Sequence, residues 1–323
     1  MALFVTLLSF PAMSGFVADQ KRADAQVADS FTKPSEVLAA INAYREAKQP
    51  DRVPGLMQAM VRLGIIDDPE KAGIYIGFLA GVLQENQVDA PELIARMFPL
   101  PPPQQVVLIK AIVFSELPNW HALLQQFAER MPARAVMIDR YLNGQAKTLR
   151  QLPLADAATL DLHWGLYFAT GQWAPATRII DALQWAGEKN EIEKLTVGSM
   201  AKWTYATNAA RDKNLRDLAR AQLAYQPQEV KGHLTEVIEA AELFETGRLR
   251  DKALKSIEKL RAQGPQRVRD INTWGQAGQT VLALGCVAAA ALGQVQLGLP
   301  CVVGGALSSA ALKYLVPRPG PQL

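Results

Sequence analysis

Cysteine and histidine are scarce: the chain holds 2 Cys and 3 His among 323 residues. Two thiols cannot staple a disulfide scaffold, and three scattered imidazoles argue against a Cys/His zinc centre. His121, His163 and His233 lie far apart and form no His-x-x-x-His pair, so no metal ligand set is predicted. Charge is missing altogether from Met1 through Ala18 and again from Ile271 through Leu312, and every acidic residue lies at or before Asp270. There is no phosphate loop of the Gly-x-x-x-x-Gly-Lys-Ser/Thr type and no Gly-x-Ser-x-Gly nucleophile elbow. Alternating apolar–polar runs bounded by hairpin turns are absent too, which speaks against a sheet. The charge balance, 34 basic against 31 acidic residues for a net +3, is too even for a nucleic-acid partner.

The carboxylate pairs Asp67-Asp68, Glu191/Glu193 and Glu239/Glu242 sit in polar stretches. An acid/base pair needs two environments that hold its pKa values apart, so these read as helix caps and solvated faces. Cys286 and Cys301 both fall in the uncharged tract, away from any histidine, and read as small apolar packers. No catalytic residue and no cofactor is predicted.

What the chain does have is helical periodicity. From about residue 34 to 265, apolar residues recur at three- and four-residue spacing: Val37, Leu38, Ile41 and Tyr44, then Leu56, Met60 and Leu63, then Tyr75, Leu79, Val82 and Leu83. Breakers punctuate the pattern at Pro54-Gly55, Asp68-Pro69, Ala90-Pro91, Pro118-Asn119, Met131-Pro132, Gln226-Pro227 and Gly264-Pro265. The fold class expected is all-α, an irregular array of antiparallel helical hairpins. Residues 98–103, Phe-Pro-Leu-Pro-Pro-Pro, are expected as a stiff extended linker between helices.

Both ends are apolar, and the mean hydropathy of +0.01 averages them with a charged body. Residues 1–18 carry an apolar run, a Pro and then small residues, the pattern of a signal peptide cut after Ser14 or of an N-terminal anchor, although no Lys or Arg precedes the run. A flexible linker is expected over 19–33. Residues 271–316 read as a hydrophobic helical hairpin turning near Gln296, followed by a flexible tail over 317–323. Each arm is short of the roughly 20 apolar residues of a confident span. Trp274 and Tyr314 fall at the outer ends, where interfacial aromatics belong, and Leu282, Leu284, Val302, Val303 and Leu307 would contact lipid. A buried hairpin closing the helical body is the competing reading. Export, or membrane association, is the location expected.

One junction resembles a known repeat. In Tyr167-Phe-Ala-Thr-Gly171-Gln-Trp173-Ala-Pro-Ala176, an aromatic precedes a Gly by four, an aromatic follows it by two and an Ala by five. This is similar to the helix–turn–helix junction of a tetratricopeptide repeat, and Leu243-Phe-Glu-Thr-Gly247-Arg-Leu249 is similar again. Trp164 stands where that repeat favours a small residue, and Gly171 and Gly247 are not separated by a whole number of repeats. The resemblance implies TPR-like hairpins with degenerate repeats and a concave surface that binds a protein or peptide. The polarisable cluster His163, Trp164, Tyr167 and Trp173, with Arg178, is the expected partner-binding site, against the alternative that these aromatics are packing. The function expected is a non-enzymatic scaffold for a protein or peptide partner. The alternatives are a secreted membrane-acting effector that inserts its C-terminal hairpin, and an all-helical enzyme.

Overall fold

The computed structural model describes residues 12–154, 156–244 and 246–262. The expected membrane hairpin, with Trp274, Leu282, Leu284, Val302, Val303, Leu307 and Tyr314, lies outside the described residues, as do both cysteines. Among the described residues the chain is all-helical, with 14 α-helices and no strand. None of these helices is long and apolar enough to cross a membrane.

The first third holds α1 (Ala12–Asp29), α2 (Pro34–Ala43), α3 (Val53–Arg62), α4 (Gly73–Glu85) and α5 (Ala90–Met97). The middle holds α6 (Pro102–Phe114), α7 (Trp120–Ala128), α8 (Ala135–Leu142), α9 (Ala157–Thr170) and α10 (Trp173–Asp181). The last part holds α11 (Ile192–Ala209), α12 (Lys213–Gln222), α13 (Gln228–Glu242) and α14 (Thr246–Ala262). The breakers act as starts: α2, α3, α5 and α6 each carry Pro in the first two positions, where its missing N–H costs no helical bond. Asp156 and Asp212 cap α9 and α12 through side-chain oxygens that accept from Thr159 N and Asn214 N.

Two helices differ from the rest. Every residue of α4 from Gly73 to Leu83 is buried, and so is nearly all of α9. A helix that is apolar on all sides belongs inside. These two form the most extensive helix contact in the molecule. Gly73 lies against Ala158, Gly77 against Leu162, and Gly81 against Ala169, so the two helices run parallel. Gly165 answers from α9, where Ile74 and Phe78 backbone atoms fill the space a side chain would need. A glycine every fourth residue lets the backbones touch, the packing device of small-xxx-small helix pairs. The central pair is therefore parallel and distant in sequence, whereas the sequence pattern pointed to hairpins of consecutive helices.

Three local expectations are corrected. Residues 19–33, expected as a flexible linker, are helical through Asp29, in α1. The helix is docked: Asp24 O and Val27 lie where a Cβ on Gly55 of α3 would be, at 2.6 and 2.7 Å. Buried Asp24 accepts from Arg96 of α5 at 2.7 Å, and Arg62 donates to the Ala28 and Phe31 carbonyls. In the Pro-rich segment, Phe98 and Pro101 are extended as expected, but Pro102 and Pro103 already open α6. Phe98 is a packing residue, stacked on Phe127 at 6.0 Å with Arg130 across both rings. At the repeat-like junctions, Gly171 does end α9, in the left-handed conformation (φ 72°). Gly247 does not end a helix; it lies inside α14, and Phe244 takes the positive φ of 54° instead.

Candidate functional site

The structure divides the expected partner-binding set. Trp164 is fully buried; its ring stacks on Phe168 at 5.7 Å and its Nε1 donates to Thr204 Oγ1 of α11 at 3.0 Å. Tyr167 is also in the core, and its hydroxyl donates to Asp212 Oδ2 at 2.5 Å. Arg45 donates to the same carboxylate oxygen at 2.8 Å and lies over the Tyr167 and Phe168 rings, 5.2 and 5.7 Å from their centroids. This network ties the end of α2 to α9 and to the start of α12. His163 is 5% exposed, and burial, followed by the nearby Arg178 charge, pulls its pKa down to about 4. These three residues pack the interior and offer no surface to a partner. Trp173, 57% exposed, and Arg178, paired with Asp181 at 3.2 Å, face solvent on α10.

Asp161 is a second buried titratable group on α9. Its Oδ1 has no partner, and burial, then Asp156, raises its pKa well above the carboxylate range. Tyr75 of α4 is fully buried with an unpartnered hydroxyl, and burial shifts its pKa upward. In a low-dielectric interior both groups stay neutral.

A third cluster joins α11, α13 and α14. Lys202 Nζ lies 2.9 Å from Glu236 Oε2 and 3.1 Å from His233 Nδ1, and Lys252 reaches Glu236 Oε2 at 3.1 Å. Burial lowers the Lys202 pKa against the pull of Glu236, and burial and Lys202 together lower that of His233. The four groups satisfy one another and hold α13 and α14 against α11. Among the described residues no three His, Cys, Asp or Glu side chains gather as a metal site.

Sequence reasoning missed the open surface feature. Between the C-terminal end of α1, the α2 helix and the start of α3 lies an apolar groove of about 320 Å³. Small side chains at Ala40, Ala43 and Ala47, three and four residues apart in sequence, line it beside Val27, Phe31 and Leu56. That small-residue spacing was the available signal. Tyr44 closes the floor, packed edge-on against Phe78 at 5.0 Å, and burial pushes its hydroxyl pKa up to about 12. Ser30, Gln49 and the exposed Arg52 form a polar rim.

Comparison with protein-family models, curated proteins and solved structures returns no match. The tetratricopeptide resemblance therefore rests on this chain's own residues.

Proposed function

We propose that this chain is a non-enzymatic helical scaffold, TPR-like in its hairpins, that binds a protein or peptide partner at a membrane or outside the cytoplasm. The observation that supports the reading is the groove between α1, α2 and α3. It is apolar within, open along one side, and rimmed by one exposed guanidinium, Arg52. Such a site suits apolar side chains of a partner segment with an acidic residue beside them. The α9–Gly171–α10 turn supports the hairpin part of the reading. The location part rests on the uncharged tract 271–312 and the apolar start of the chain.

A photo-crosslinking residue at Ala43 of the full chain, expressed in its own cells, is expected to give one discrete protein adduct. The same residue at exposed Val88 gives none, and Ala40→Phe, which fills the groove, abolishes the Ala43 adduct. No groove-specific adduct overturns the reading. Fractionation with intact-mass analysis tests location, and a soluble, uncleaved chain overturns it. The uncharged tract favours a second reading, a secreted membrane-acting effector, which predicts that the full chain releases dye from lipid vesicles and that deletion of 271–323 abolishes release.

A further inference from the structure

Charge is spread unevenly along the chain. Residues 248–269 hold eight Lys or Arg and two Asp or Glu. The rest of the chain holds 26 basic and 29 acidic residues, so the net charge of +3 comes from this one stretch. It begins in α14, and only Asp270 separates it from the uncharged tract 271–312.

The fold sorts α14 into faces. Leu249, Ala253 and Ile257 recur every fourth residue and are buried. The helix packs chiefly on α11, with Ile257 against Leu195 and Ile192. Arg248, Lys252, Lys255 and Lys259 are exposed. Their spacing places them within about 60° of one another around the helix axis, in one stripe. The neighbouring acids leave most of this stripe uncancelled. Glu236 of α13 is shared between Lys202 and Lys252, Glu242 is bound by Arg220, and Asp251 takes Arg250 at 3.2 Å. Lys255 and Lys259 have no ion-pair partner among the described residues, and Glu258 on the flank offsets part of their charge. Cations held in a row repel one another, and an anionic partner relieves that repulsion.

Two features select the partner. The α14 segment has no aromatic residue on which a nucleobase could stack. Its apolar seam is engaged with α11, so the exposed side offers a surface charge and nothing to insert. A basic helical face next to an apolar tract matches a layer of anionic headgroups. We propose that Arg248, Lys252, Lys255 and Lys259 of α14 form a docking face for an anionic lipid surface. The proposal rests on the membrane reading above, and it assigns the electrostatic part of that contact to α14 rather than to the apolar tract.

The test is flotation of the full chain with vesicles of phosphatidylcholine alone and with phosphatidylglycerol added. Tighter binding to the anionic vesicles is expected, and high salt should remove the difference. Lys255→Gln combined with Lys259→Gln weakens anionic binding about twentyfold, from about fivefold per basic residue. Lys147→Gln combined with Lys189→Gln makes the same change in net charge at exposed positions elsewhere and leaves the preference intact. Absence of vesicle binding overturns the inference. Equal affinity for both vesicle types, or an anionic preference unchanged in the α14 variant, overturns it and leaves the membrane reading standing on the apolar tract. Binding to anionic vesicles alone upholds the α14 face and removes the tract from the contact. Tighter binding of a single-stranded oligonucleotide than of anionic vesicles, lost in the α14 variant, overturns the proposal in favour of nucleic acid.

Discussion

The carbonyl oxygen of Leu162 stands where a side chain on Gly77 would begin. That contact, at the middle of the α4–α9 pair, sets how closely the two central helices approach, and Gly73, Gly81 and Gly165 repeat it along the interface.

Gly77→Ala should therefore destabilise the protein despite Ala's better helix propensity. The added methyl meets backbone on the facing helix, which cannot rotate away, and overpacking of this kind costs about 1–3 kcal/mol or more. Gly232 in α13 is the control, since nothing lies within 4 Å of its Cβ position. Gly232→Ala is expected to stabilise by about 0.5–1 kcal/mol. Denaturant titration of the two variants should show shifts of opposite sign.

His163 makes the fold acid-sensitive. Its pKa falls from 6.5 to about 4 on folding, so between those values the unfolded chain binds the extra proton. Stability present at neutral pH is lost as pH drops through this window, by roughly 3 kcal/mol at its lower edge. His163→Gln should flatten this part of the stability–pH profile, read by urea midpoints from pH 7 to 4.

Asp161 works in the opposite direction. Its folded pKa is raised, so the folded state holds a proton that the unfolded state releases above about 3.8. That contribution favours folding at low pH and is lost as pH rises through the folded pKa. Asp161→Asn, which cannot ionise, should be more stable than the parent at pH 7.5, and the gain should shrink towards pH 4. A thermal melt series in matched buffers checks both the sign and the trend.

Arg45 and Asp212 are a buried pair whose side chains are 16% and 8% exposed. Asp212→Asn keeps a residue able to cap α12 but removes the guanidinium's buried countercharge and leaves it only the exposed Glu46 at 4.0 Å, at an expected cost of about 3–5 kcal/mol. Arg45→Met combined with Asp212→Asn should recover much of that loss, because the uncompensated charge is gone. A double-mutant cycle in urea measures the coupling.

Trp164 and Trp173 separate core from surface within one sequence cluster. Trp164→Ala removes a fully buried ring and is expected to cost about 3–5 kcal/mol. Trp173→Ala, on the exposed face of α10, should shift stability by no more than about 0.5 kcal/mol.

The helical class was legible from spacing, and so were several helix starts, because proline acts locally: Pro34, Pro54 and Pro91 open helices. Gly171 was legible as a stop for the same reason. The α1 segment was not, since its composition is polar and its helix is held from outside by Gly55, Arg62 and Arg96. The glycine spacing 73, 77, 81 was in view but has meaning only opposite Leu162 and Gly165.

By itself, then, the sequence determined an all-helical body, the placement of its breaks, and the uneven distribution of charge that leaves 271–312 bare. Tertiary structure decided which faces are inside. A helix apolar on every side, such as α4 or α9, carries no pattern that says what it packs against. The Arg45–Asp212 pair, 167 positions apart, becomes a contact only once those helices meet. The same step turned Trp164 and Tyr167 inward, left Trp173 in water, and opened the groove that local periodicity could not describe.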